Sequence, residues 1–199
     1  MKSDNLELAS LATSAMVNLY HYSPDSKAIF IAQDGMNIIQ YYLCSKNEMI
    51  LLQILRLIHA FINESEQLAK KIAETNDQEA VKSLLKILHG PRIGNLKFDK
   101  RISYYVIIIL HKLIQHFELA KNTIAESRSL GIIVHMLAPP LNLLEIPLEL
   151  ENTIYLFLID LIRDDIDKKE IVGKLIFEKV FTERLRLISD SSKQINEAF

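Results

Sequence analysis

Six histidines, one cysteine and a run of aspartates are the residues whose types could do chemistry in this chain. The imidazoles are His21, His59, His89, His111, His116 and His135. A zinc site on a helix needs ligands at i and i+4 with a further carboxylate or thiolate converging on them. No His-Glu-x-x-His pair occurs, and no histidine stands beside a second cysteine, so no metal or cofactor is expected. His111 and Gln115 share one helix face, an arrangement that reads as packing or partial exposure rather than catalysis. Cys44 has no histidine near it in sequence and reads as an apolar core filler. Asp164, Asp165 and Asp167 gather carboxylates as a cation site would, but Lys168 and Lys169 follow directly. Their expected role is a solvated corner in which Asp165 or Asp167 caps the next helix. Gly90 and Gly94 flank a loop that opens no phosphate-binding motif. Tyr41-Tyr42 and Tyr104-Tyr105 offer rings to stack on bases, but no Lys/Arg stripe accompanies them in sequence. No catalytic, cofactor-binding or metal residue is assigned, and no enzyme is expected.

The elements that carry these residues are helical. Nearly half of the 199 residues are apolar and 24% are charged, enough for a sizeable buried core. Gly and Pro number five each and Trp is absent, which favours helices over strands and tight turns. A net charge of −2 lacks the electrostatic footprint of a dedicated nucleic-acid binder. A single cysteine excludes an internal disulfide framework and points to a reducing, intracellular and cytoplasmic setting. The opening Met1-Lys2-Ser3-Asp4-Asn5 is no signal peptide. The longest apolar run, Ile102 to Ile114, is broken by His111 and Lys112 and is too short to enter a membrane as a span.

Apolar residues recur at three- and four-residue spacing from Asn5 to Tyr20, through Leu8, Leu11, Ala12, Ala15, Met16 and Leu19. Ser23-Pro24-Asp25-Ser26 ends that helix and caps a short one, Lys27 to Gln33. Asp34-Gly35 is a corner at which glycine tolerates positive φ. Helices follow over Met36–Leu43 and Asn47–Ile62. A second cycle has Ser65–Glu74, Asp77–His89, a loop through Gly90-Pro91 to Asn95, and Asp99–Phe117. A third has Leu119–Glu126, Leu130–Leu137, a loop through Ala138-Pro139-Pro140, and Leu148–Ile162. A fourth has Lys168–Leu175 and Phe177–Ile188, and the polar tail from Ser189 to Phe199 is expected to fray.

The long helices fall on a common register in which Asn18, Leu57, Lys112 and Asp160 correspond, at spacings of 39, 55 and 48 residues. The first spacing fits the repeat period of armadillo and HEAT arrays, about 40–47 residues, and the two Pro-containing loops lengthen the others. Units then run over 5–22, 23–64, 65–118, 119–165 and 166–188 of one repeat domain, 1–188. The first unit has a long helix and no short pair before it, so Leu8, Leu11 and Ala15 are expected to expose an apolar face suited to self-association.

Ala12-Thr13-Ser14-Ala15-Met16-Val17-Asn18-Leu19-Tyr20 resembles the third helix of an armadillo repeat, a small-small-Trp-Ala-Leu-x-Asn-Leu pattern. Ser26-Lys27, Ile31 and Asp34-Gly35 resemble the turn between that family's first and second helices, and Lys121 to Ser127 resembles the first helix again. The resemblance implies an all-α fold, a right-handed α-solenoid of about three to four stacked repeats. It also implies a non-enzymatic interaction module, a scaffold or adaptor of cytoskeletal or ciliary type, that takes a protein or extended peptide along a groove lined by the third helices. The alternative is a small-GTPase-binding or exchange-factor-like regulator. The groove positions are Ser14 and Asn18, Gln53 and Leu57, Ile108 and Lys112, and Leu156 and Asp160. The family's import-signal ladder of Trp and Asn is kept only at Asn18, so this resemblance does not extend to import-signal binding.

Overall fold

The computed structural model describes residues 6–32, 35–64, 66–74, 78–88, 100–137, 148–163 and 165–178. Among them every regular element is an α-helix. The helices are α1 (Leu6–Tyr22), α2 (Pro24–Ala32), α3 (Gly35–Leu43), α4 (Glu48–Glu64), α5 (Glu66–Glu74) and α6 (Glu79–Leu88), followed by α7 (Lys100–His116), α8 (Glu118–Ala125), α9 (Ser129–His135), α10 (Leu148–Ile162) and α11 (Ile166–Ile176). The expected loops around Gly90–Asn95 and Ala138–Pro140, and most of the Phe177–Ile188 helix, lie outside the described residues.

The chain divides into two compact units, Met1–Ile124 and Ala125–Phe199. In the first, α4 packs against both α1 and α7, the most extensive helix contacts in the unit. The shorter helices α3 and α6 pack on one another, and α3 also lies on α4 while α6 lies on α7. This arrangement explains why α4 and α7 are apolar on most sides. Leu51, Ile54, Leu55, Leu57, Ile58 and Phe61 of α4 are buried, as are Ile102, Val106, Ile107, Ile109, Leu110 and Leu113 of α7. A helix covered on two flanks retains only a narrow stripe for water. Helix α1 has α4 on one side, buries Thr13 and Val17, and leaves Leu8 52% and Leu11 65% exposed, as the incomplete first cycle led us to expect. In the second unit, α11 packs against α9 and α10 around Leu130, Ile133, Ile154, Phe157 and Val172.

Local chemistry fixes the helix starts. Pro24 opens α2, where its missing N–H costs nothing, so the helix begins three residues before Lys27. The Ser26 hydroxyl donates to the Ser23 carbonyl at that entry. Asn47 caps α4, its Oδ1 accepting from the Ile50 N–H at 3.1 Å. Asp165 caps α11, its Oδ1 accepting from the Lys168 N–H at 2.9 Å, as one of the two expected caps. The other Asp165 oxygen lies 2.7 Å from Lys168 Nζ, pairing a lysine that is otherwise buried.

Two corners differ from the sequence reading. Gly35 is the first residue of α3 and its φ is not in the left-handed region. The glycine is needed for space: a Cβ there would overlap three carbons of the Phe30 ring, which is itself buried with its centroid 5.5 Å from that of Phe61. The left-handed residue is Gln78, at φ 61° just before α6. Its buried side chain accepts a hydrogen bond from the Thr123 hydroxyl of α8 at 2.7 Å. A second polar tie joins Gln40 Nε2 of α3 to Ser83 Oγ of α6 at 3.1 Å.

Candidate functional site

The exposed stripes of α4 and α7 lie side by side, because the two helices pack together and the His59 ring meets Tyr105 across them, centroids 5.7 Å apart. On α4 the stripe runs Met49, Leu52, Gln53, Arg56, His59 and Asn63, all exposed or half-buried at helical spacing. On α7 it runs Arg101, Tyr104, Tyr105, Ile108, His111, Lys112 and Gln115. Tyr104 and Tyr105 make an edge contact, centroids 5.7 Å apart. Each helix carries an imidazole–amide pair one turn apart: His59 Nε2 to Asn63 Nδ2 at 2.9 Å, and His111 Nε2 to Gln115 Nε2 at 3.2 Å. An amide NH₂ can only donate, so in these contacts each ring nitrogen accepts. The described side chains of this face include Arg56, Arg101 and Lys112, and the only carboxylate among them is Glu48, at the first residue of α4.

The sequence-expected groove positions do not all fall on this face. Ser14 is half-buried and Asn18 exposed on α1. Gln53 is half-buried, with Oε1 3.4 Å from Arg56 Nη1, and Ile108 and Lys112 are half-buried on α7. Leu57 is 1% exposed and belongs to the core rather than to a solvent-lined groove. In a helix apolar on most sides, alignment by apolar residues leaves the rotation open by one residue, or about 100°. The i, i+4 pair that faces water on α4 is Leu52 and Arg56, where the sequence reading paired Gln53 with Leu57. Leu156, 56% exposed, and Asp160, half-buried and 2.8 Å from Arg163 Nη2, belong to the second unit. There Leu156 joins Tyr155 and Ile159 in an exposed apolar stripe on α10, with the Tyr155 hydroxyl donating to Glu151 at 3.3 Å.

Arg56 and Asn63 escaped the sequence reading, and His59, Tyr104 and Tyr105 were weighed there only for metal, catalytic or base-stacking roles. Their signal was present in α4, where Gln53, Arg56, His59 and Asn63 are the polar residues between the two terminal glutamates of the helix and recur every three or four positions. The tyrosine pair does have cations beside it, Arg101 on its own helix and Arg56 one turn from His59, but those cations are brought together only by the α4–α7 packing. Cys44 also differs from expectation. Helix α3 ends at Leu43, so the cysteine falls on the turn and is exposed. His89 and Asp164 lie outside the described residues.

Among the described residues no cluster of three His, Cys, Asp or Glu side chains is placed to hold a metal ion, and no helix is long and apolar enough to cross a membrane. Comparison of the chain with family models, with curated proteins and with solved structures gives no match in any of the three.

Proposed function

We propose that this chain is a non-enzymatic protein–protein interaction module built from armadillo-like repeats, stacked as a right-handed solenoid and acting as a scaffold or adaptor. The observation that carries the reading is the row α1, α4, α7. These are three helices of 17 residues, each packed on the next, and α4 and α7 leave a single stripe to solvent. Side-by-side stripes of polar and aromatic residues form a surface on which an extended partner segment can lie across several helices. Asn18, Gln53, Ile108 and Lys112 stand on that row and supply an amide pair, an apolar anchor and a charge. A reducing intracellular setting, such as the cytoplasm, suits the exposed thiol of the single Cys44.

Site-specific photo-crosslinking tests this. A benzophenone amino acid placed at Gln53 or Lys112 should trap the same protein partner in cells, while the same probe on α6, at Lys82 or Lys86, should not. Equal trapping from both faces, or trapping only from α6, refutes the assignment of the groove.

A further inference from the structure

We propose that the α4–α7 face binds an acidic segment of a partner protein, in which two carboxylates flank an apolar side chain; this rests on the interaction-module reading above. Helix α7 presents Arg101, Tyr105, Ile108 and Lys112 at successive three- and four-residue steps, so they form one stripe. The two cations at its ends are separated by about 16 Å at 1.5 Å per helical residue. An extended chain covers that distance in about five residues. Between the cations lie Tyr105, in contact with His59 of α4, and Ile108, half-buried. Arg56 is one turn before His59 and adds a third cation on the neighbouring helix.

Charge complementarity selects the occupant. The described side chains of the two stripes combine three permanent cations with a single carboxylate at one end, on a chain whose net charge is −2. Among the described side chains this face therefore carries an excess of positive charge, as in a surface that steers and registers an anionic partner. Three cations over this span are few for a polyphosphate backbone, whose binders neutralise many phosphates at once. Interleaved Tyr105 and Ile108 instead fit a segment that alternates carboxylates with aliphatic residues.

The probe is a fluorescein-labelled 15-residue peptide of serine with Glu at positions 5 and 10 and Leu at position 7, measured by anisotropy against the full chain. The acidic peptide should bind at least about tenfold more tightly than a twin with Lys in place of both Glu residues, and its affinity should fall as salt rises. Arg56→Glu combined with Lys112→Glu should weaken it at least about tenfold with an unchanged circular dichroism spectrum, and should bind the Lys twin instead. Equal binding of the two peptides, or an unaffected charge-reversed variant, overturns the proposal. So does binding of a uridine 12-mer, or of phosphatidylserine vesicles, that is lost in the same variant while the acidic peptide stays inert. If partner trapping at Gln53 survives Arg56→Glu/Lys112→Glu, the acidic-segment assignment fails while the interaction module stands.

Discussion

Replacing Gly35 with alanine drives a methyl group into the Phe30 ring. The added Cβ would overlap the Cδ1, Cε1 and Cζ atoms of a ring that is 6% exposed and set against the fully buried Phe61. Relief requires the enclosed Phe30 ring to leave its rotamer or α3 to shift on α4. Overpacking of this kind costs about 1–3 kcal/mol. Alanine recovers part of that through its better helix propensity, at most about 1 kcal/mol. The net expectation is a loss of about 1–2 kcal/mol and a melting temperature lower by about 2–8 °C. Urea denaturation followed by circular dichroism measures it. A double-mutant cycle with Phe30→Leu identifies the cause. Phe30→Leu alone should cost about 1–2 kcal/mol through lost packing. In the Phe30→Leu background Gly35→Ala should be nearly neutral, a coupling above about 0.5 kcal/mol. If Gly35→Ala leaves stability unchanged, or if the two costs simply add, the steric account is wrong and the glycine serves another purpose.

Leu57→Asp should unfold the first unit, since it places a carboxylate at a position 1% exposed, whereas Leu156→Asp, at 56% exposure, should change stability by no more than about 0.5 kcal/mol; thermal melts decide between these outcomes. Asp165→Ala removes the α11 cap and one ion-pair partner of a buried lysine, and a loss of about 1–3 kcal/mol is expected in urea titration, with Asp165→Asn retaining the cap alone. Thr123→Val leaves the buried Gln78 oxygen without its hydroxyl donor and should cost about 1–3 kcal/mol. Leu8→Lys with Leu11→Lys should reduce self-association in sedimentation velocity if the exposed face of α1 mediates it, and a concentration-independent monomer in the wild type would exclude that role.

The helical content was readable because α4, α6 and α7 keep their apolar residues at helical spacing over many turns. Leu148–Ile162 was placed to the residue for the same reason. The water-facing side of α4 was harder to read. Leu57 and Arg56 are neighbours on a helix whose apolar residues cover most of its circumference, and only its contacts with α1 and α7 show which of the two faces water. The cationic patch was invisible for a related reason. Arg101 and Lys112 lie eleven residues apart on a largely apolar helix, and Arg56 is far from both in sequence and joins them only through the α4–α7 packing. Gly35 was read as a corner needing backbone freedom, whereas it opens α3 and is required by the Phe30 ring, which is placed by tertiary packing. Gln78 gave no sign of its left-handed backbone, since glutamine is no turn former and its hydrogen bond comes from α8.

Two polar ties of the first unit, among the described residues, reach 43 and 45 positions along the chain, from Gln40 to Ser83 and from Gln78 to Thr123. Each therefore joins one cycle of helices to the next, and the principal helix contacts likewise run from each cycle to its successor. A chain with this wiring has few distant loops to close, so its ordering can start in one place and spread. Ordering is expected to start at α4 and α7, which bury each other extensively, and to reach α1 later, since among the long helices α1 packs only on α4. The same gradient runs in reverse in the native state. Amide hydrogens of α1 should exchange through shallow local openings long before those of α4, so the end of the row that faces water loosens while its centre holds.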